Sequence, residues 1–454
     1  MTASVALRAG AGKAVVELPS SLFPVDGFTA VHDPLRVRVL LLDDSTTRVC
    51  VTVIEQTSIF EHQVARTKEI LHQVCAVDPA HALVVASHTF SAPHIHPPGH
   101  APEGEEVRNT RLSNAVDDAV ARAAADAVRT LRPARTGFGL GACRVNVQRD
   151  VRTSHGWWLG ADDNGRTDDS VGVLRIDGTD GTDGTDGTDG TDGTDAPPIA
   201  VLVNHAVQSS VMNGSFTRSG DREITADLAG ATATRVEQHY GDGTVALFLV
   251  GAAGDQAPYL TAVRTTVDEN GQLRRSDAQE AGHTLVDLLG ERLATEAVRI
   301  AEHTRTTEPT TPLRVVHDNV EVPAQLPPAG GLHALRPTTR YDFTPDGTTE
   351  APVVVARIGD VVLACLQAEL NARTGLDLKA ASPFPATCVV TMVNGAAKYM
   401  ADAGSYDRIT YEAMNSRYAR DAAETVAARL GELLRELRPE PIAVTRDRHR
   451  SSSP

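Results

Sequence analysis

No stretch of this chain approaches the ~20 consecutive apolar residues that a membrane-spanning helix needs. The opening segment Met1–Gly10 has neither a basic start nor the apolar core of an export signal, so the protein is expected to stay in the cytoplasm. Cysteine is scarce and unpatterned. Cys50, Cys75, Cys143, Cys365 and Cys388 are an odd number, widely spaced, and show no CxxC or finger spacing; three sit inside apolar runs. A disulfide scaffold and a zinc finger are excluded, and reduced, buried thiols are expected. Positive charge is also short, with 43 Lys and Arg against 59 Asp and Glu and a formal net charge of −16. Nucleic acid and anionic membrane surfaces are therefore excluded as stable partners. Gly10-Ala11-Gly12-Lys13 lacks the full phosphate-loop spacing and precedes a strand rather than a helix, which argues against nucleotide binding. A small-molecule substrate is the expected partner, and homo-oligomerisation stays open.

What is present is an α/β rhythm. At 454 residues the chain can bury a large core. Strands are predicted over 36–42, 48–54, 82–87, 171–176 and 244–250, and helices over 61–75, 114–129, 226–240 and 278–301. A last helix is predicted from Tyr411, with an apolar stripe through Met414, Tyr418, Val426, Leu430, Leu434 and Leu437. The expectation is one large mixed-sheet domain with flanking helices over 1–437, followed by a disordered basic tail over 438–454. Residues 178–195 are six copies of Gly-Thr-Asp. Calcium-binding roll repeats need a hydrophobic position per turn, which this tract lacks, so it is read as a disordered hairpin tip within 177–197. The Pro/Thr-rich segment 305–350 is expected to be an irregular excursion or a small subdomain.

Five apolar runs each stop at a polar group. Ala82–Ser87 leads to His88, Ile199–Asn204 to His205, and Val245–Val250 to Gly254-Asp255-Gln256. Val361–Ala368 leads to Glu369, and Cys388–Val393 to Asn394 with Tyr399 beyond. Short β-branched runs of this kind are buried strands, and α/β sheets place ligand sites beyond the carboxyl ends of their strands. Two imidazoles, a carboxylate and a phenol delivered in this way suit a single zinc ion. The loop after the first of these runs also holds His94, His96 and His100.

His88-Thr89-Phe90-Ser91-Ala92-Pro93 resembles the His-Thr-His-Ser-Gly-Pro signature of the neutral/alkaline (non-lysosomal) ceramidases. Residues 7–19 are similar to the family's opening strand, and His32-Asp33-Pro34-Leu35 resembles the segment that precedes its next strand. Val201–Ala206, Gly251–Pro258, Ala368-Glu369-Leu370 and Asn394–Tyr399 resemble its later motifs, in the same order over residues 5–437. The family's C-terminal sandwich domain is expected to have no counterpart in this chain. The resemblance implies a ceramidase-like fold with zinc held by His88, His205, Glu369 and Tyr399, Tyr406 and Tyr411 being rival phenols. It also implies that Arg149 holds substrate oxygens, with a surface ion pair to Asp150 or Asp163 as the alternative.

Two positions depart from the family's pattern. Phe90 replaces a histidine suited to shuttling protons beside the metal, and Ala257 replaces a serine. A serine nucleophile at 257 is excluded, which favours metal-activated water. Losing a proton shuttle typically costs ~10²–10⁴-fold in rate unless another group replaces it. His94 and His96 are the candidate replacements, and Asp255 is a candidate for orienting water or substrate. Trp157 and Trp158 are candidates for a pocket wall. The functional expectation is a zinc-dependent hydrolase cleaving an amide bond of a small or medium soluble substrate. The alternatives are ester, lactone or lactam hydrolysis, a condensing enzyme of a biosynthetic pathway, and a degenerate member that binds a ligand without turnover.

Overall fold

The computed structural model describes residues 6–179, 196–241, 243–309, 312–328 and 330–438. Most of the Gly-Thr-Asp tract and the tail from 439 lie outside the described residues. The strands that flank the tract, Ser170–Gly178 and Ala200–His205, pair antiparallel, with Ile176 opposite Ala200.

The predicted strands fall into two principal sheets. Eight strands form the larger one, in the order Val245–Val250, Ala200–His205, Ser170–Gly178, Arg132–Ala142, Arg8–Val15, Arg36–Asp43, Arg48–Ile54 and Ala82–Ala86. The smaller sheet is Arg314–Gln325, Pro345–Ile358, Val361–Leu366 and Ala386–Val390. Both mix parallel and antiparallel pairs.

Alternation along the strands decides the layering, because successive side chains face opposite ways. Val37, Val39 and Leu41 pack against helices Glu61–Cys75 and Glu106–Arg129. Leu40 and Leu42 from the other face share a core with Val354, Leu363, Cys365 and Val390 of the smaller sheet. Val201 and Val203 likewise face helices Asp227–Tyr240 and Gly282–Glu302, whereas Leu202 faces the second sheet. Val353, Val355 and Val362 turn away from that shared core, towards helices Ala372–Ala381 and Ala422–Glu436. The result is helices, sheet, sheet, helices. Strands buried on both faces must be apolar throughout, which is why the sequence shows runs rather than alternation.

Gly10 and Gly12 have a packing role. A Cβ on either would fall 2.0 and 2.1 Å from the carbonyl oxygens of Ala127 and Ala123, so both let helix Glu106–Arg129 lie directly on the strand. All five cysteines are free and buried.

The segment 305–350 holds strand Arg314–Gln325 and the start of strand Pro345–Ile358, which form a long antiparallel hairpin. One expectation changes. The helix expected from Tyr411 is broken into a short turn, Tyr411–Met414, and helix Ala422–Glu436.

Arg38, 1% exposed, donates to Glu237 at 2.7 Å and to Glu55. Removing one partner of a buried ion pair leaves the other charge uncompensated, at a cost of ~3–5 kcal/mol. Arg38→Ala is therefore expected to lower the unfolding free energy by about that much in urea titration. An unchanged midpoint and slope would contradict this placement.

Candidate active site

The site forms where the two sheets are stitched together at their strand ends. Asn204, the residue before His205, donates to the carbonyls of Leu249 at 3.0 Å and Val389 at 2.9 Å, one in each sheet. Thr391 adds a backbone bond to Val250 at 2.9 Å. Asn394 ties in the strand that leads to His88: its N–H donates to the Val84 carbonyl at 2.7 Å, and its Oδ1 accepts from the Val84 N–H at 3.0 Å. Gly254 closes the arrangement against the Glu369 segment. A Cβ there would lie 2.9 Å from the carbonyl oxygens of both Glu369 and Leu370.

These contacts deliver the predicted residues. Glu369–Leu370 and Tyr399–Met400 form a short parallel pair in which Glu369 is opposite Tyr399. His88 is buried and its backbone is left-handed, at φ 62°; the backbone is also left-handed at Met392, Asn394 and Lys398, near Tyr399 in sequence. Strained backbone of this kind persists where the surroundings over-determine it, commonly at functional sites. His88 Nε2 lies 3.1 Å from Glu369 Oε2, and Nδ1 lies 2.7 Å from the Thr57 carbonyl oxygen. His205 Nδ1 lies 2.9 Å from the Ser170 carbonyl oxygen, whereas its buried Nε2 has no hydrogen-bond partner.

A carbonyl oxygen can only accept, so the ring nitrogen facing it, Nδ1, carries the proton in both histidines. Nε2 is then the atom available to a metal, an orientation that ligating histidines commonly take from such outer partners. Burial pushes the His205 imidazole down and keeps it neutral. Burial acts on His88 in the same sense, but the Glu369 carboxylate and the Thr57 carbonyl outweigh it and hold His88 above its ordinary range. A metal ion bound to both would replace the proton that His88 and Glu369 share. An unpartnered buried nitrogen, a second imidazole, a carboxylate and a phenol are a donor set suited to zinc. The nitrogen and oxygen donors of His88, His205 and Glu369 do not all lie within 4.8 Å of one another. A cation there must draw His205 and the His88–Glu369 pair together.

Arg149 is the cationic centre of the site. Its Nε donates to Glu412 Oε1 at 2.7 Å and its Nη1 to Gln208 Oε1 at 2.8 Å. Gln208 in turn donates to Glu369 Oε2 at 3.0 Å. The Arg149 Cζ lies 5.1 Å from the Tyr399 ring centre and 5.9 Å from that of Tyr411. Burial opposes the Arg149 charge, but the Tyr399 phenol and the Glu412 carboxylate more than offset it, so the guanidinium stays charged. Asp150 shares this buried pocket: burial and the neighbouring Glu412 push its carboxyl well up.

Gln208 and Glu412 went unnoticed in the sequence. Gln208 lies three residues beyond His205, a proximity that could have flagged it. Glu412 sits in a one-turn helix with no periodic signal. Arg149 pairs with Glu412, and neither Asp150 nor Asp163 is its salt-bridge partner.

The remaining candidates sit as follows. Tyr406 donates its hydroxyl to the Tyr418 carbonyl at 2.6 Å, so its phenol is engaged elsewhere. Tyr411 contacts Trp158, with ring centres 5.7 Å apart, and Trp157 lies against Arg408. Trp158 therefore borders the site through Tyr411. The Asp255 carboxylate accepts from Gln148 at 2.7 Å, Ala372 N–H at 2.8 Å and Gln256 at 3.0 Å, which makes it a brace between the loop and helix Ala372–Ala381. His94 is held by Asp26 at 2.7 Å. The His96 backbone is clamped by Asn109, and its buried Nε2 has no partner. Neither ring bonds to His88, Glu369 or Arg149. Phe90 packs edge-on against the His88 ring, with centres 4.6 Å apart.

No family model matches the sequence, and no curated protein matches it. Solved structures do. Neutral ceramidase from Pseudomonas aeruginosa superposes with a TM-score of 0.67 at 17% identity, over 95% of this chain and 74% of that one. This chain has the neutral ceramidase fold. A ceramidase complexed with C2 matches with the same TM-score and coverage at 18% identity. The α/β architecture expected from the resemblance is thus the observed one. Among the described residues, no helix is long and apolar enough to cross a membrane.

Proposed function

We propose that this protein is a zinc-dependent hydrolase that cleaves an amide C–N bond of a small or medium soluble substrate. The observation that carries the reading is two buried histidines at strand ends, each with Nδ1 fixed by a backbone carbonyl, of which His88 lies against Glu369, together with a charged, immobilised Arg149. The ceramidase fold supports amide hydrolysis as the reaction class, since two solved structures that share it are ceramidases.

His88 and His205 would hold the ion through Nε2, Glu369 through a carboxylate oxygen and Tyr399 through its phenol. Zinc bound in such a set supplies Lewis acidity, polarising a carbonyl and lowering the pKa of water to roughly 7. Gln208 fixes the Glu369 carboxylate by donating to Oε2, so the ligand cannot turn away. Arg149, gripped by Glu412 and Gln208, presents fixed positive charge to the carbonyl oxygen as it becomes anionic. Donors that are already oriented cost no reorganisation during the reaction, which is what makes such stabilisation large. Phe90 covers one face of His88, so proton delivery from that position is closed. The same contact favours a second reading, a family member that binds its ligand without turnover.

Chelation separates the two. Removing metal is expected to abolish hydrolysis across a panel of soluble acyl amides, and one equivalent of zinc per site should restore it. Protein that binds zinc tightly but hydrolyses no member of the panel would support the ligand-binding reading.

A further inference from the structure

We propose that His32, Glu223 and His283 form a second site for a divalent cation of borderline softness, such as Zn²⁺, which braces the segment beside His88. The three are far apart in sequence and share no residue with the candidate active site. Glu223–Ile224 pairs in parallel with Ala30–Val31, and the His32 N–H donates to the Ile224 carbonyl at 2.9 Å. His283 is the second residue of helix Gly282–Glu302. Their ligand atoms all lie within 4.8 Å of one another. Zinc–nitrogen bonds of ~2.0–2.1 Å hold tetrahedral donors ~3.4 Å apart, so an ion would draw the three donors inward and turn one imidazole out of its stack on the other.

Two further observations point to a ligand. One His283 nitrogen, Nε2, lies 3.2 Å from Glu223 Oε2, while the other, Nδ1, is buried with no hydrogen-bond partner. Buried polar atoms in native proteins almost always have a partner, so one without it calls for an explanation. The His32 ring stacks on the His283 ring, 3.4 Å away and only 10° from parallel, and because His32 is exposed its ring is free to turn a nitrogen towards an ion held by His283 and Glu223. A cavity of about 250 Å³, bordered by His32, Asp33, Asp227 and His283, gives an ion a route in. The donor set of two imidazoles and one carboxylate matches known zinc centres that keep a position open for water or another ligand.

The position explains what a cation would do. Arg222, next to Glu223, donates to the Phe90 carbonyl at 3.3 Å. The Thr225 N–H donates to the Ser91 carbonyl at 2.9 Å, and Thr89 Oγ1 donates to the Thr225 carbonyl at 2.8 Å. The Glu223 strand therefore fixes the backbone on the far side of His88. A cation clipping it to His32 and to the start of helix Gly282–Glu302 would hold that backbone in place.

The test counts zinc by elemental mass spectrometry in full-length protein loaded with Zn²⁺ and freed of excess. Wild type is expected to hold two equivalents, and His32→Ala, Glu223→Gln and His283→Ala one each. His205→Ala is expected to hold one, and the double variant His205→Ala/His283→Ala none. Because His32 is exposed, His32→Ala should keep the fold, with thermal melting as the check. If His32→Ala and Glu223→Gln both keep the wild-type count, the proposal is overturned. Loss of zinc in His32→Ala but not in His205→Ala would uphold this site and instead overturn the zinc assignment at the active site.

Discussion

Replacing His205 by alanine is expected to reduce amide hydrolysis by ~10³-fold or more, the several kcal/mol of transition-state stabilisation that a catalytic metal supplies. His205 is fully buried, its Nδ1 is committed to the Ser170 carbonyl, and its Nε2 has no other role among the described contacts. His205→Gln should behave in the same way while filling more of the space, and so separates lost metal from a cavity. Activity should fall together with one equivalent of zinc, while the melting temperature of the metal-stripped protein changes far less. Wild-type turnover in His205→Gln with one zinc missing would remove His205 from the mechanism.

Arg149 gives the second large effect, and it divides between stability and turnover. Glu412 is 0% exposed and its cation is Arg149, so Arg149→Met leaves a carboxylate in the interior without its partner. A cost of ~3–5 kcal/mol in stability is expected, together with a ~10²–10³-fold loss of kcat. Arg149→Met/Glu412→Gln removes both charges, and replacing a buried pair by neutral groups is often close to neutral for stability. The double variant should regain most of the stability and none of the activity. Recovery of both would reduce Arg149 to a structural ion pair. Loss of stability without loss of kcat would do the same.

The strand ends were legible because the strands are short and buried on both faces, so each apolar run stops where its strand stops. Ala82–Ala86, Ala200–His205 and Val361–Leu366 are cases in which the first polar group beyond the run is at or near the site. Which sheet each strand joins was not legible, for the same reason. Val201 and Leu202 face different layers yet look alike in sequence. The hairpin of Arg314–Gln325 and Pro345–Ile358 was hidden by Pro323, Pro345 and Pro352, residues that weaken a strand signal. The last helix was extended too far back because Met414 and Tyr418 fit its apolar stripe, although the Thr410 cap and Asn415 mark a separate turn. At the site, residues at strand ends were found, and the residues that hold them were not. Gln208 and Glu412 act through single side-chain bonds and belong to no repeated pattern. His94 looked suited to proton transfer from its place in the loop. Only the fold reveals that Asp26, 68 residues earlier, engages its ring.

Anomalous diffraction at the zinc edge from zinc-loaded crystals tests the central claim most directly. A peak ~2.0–2.1 Å from the Nε2 atoms of both His88 and His205, with a Glu369 oxygen at ~2.0–2.2 Å, is the expected result. Fully loaded protein with no density between those two imidazoles would contradict it.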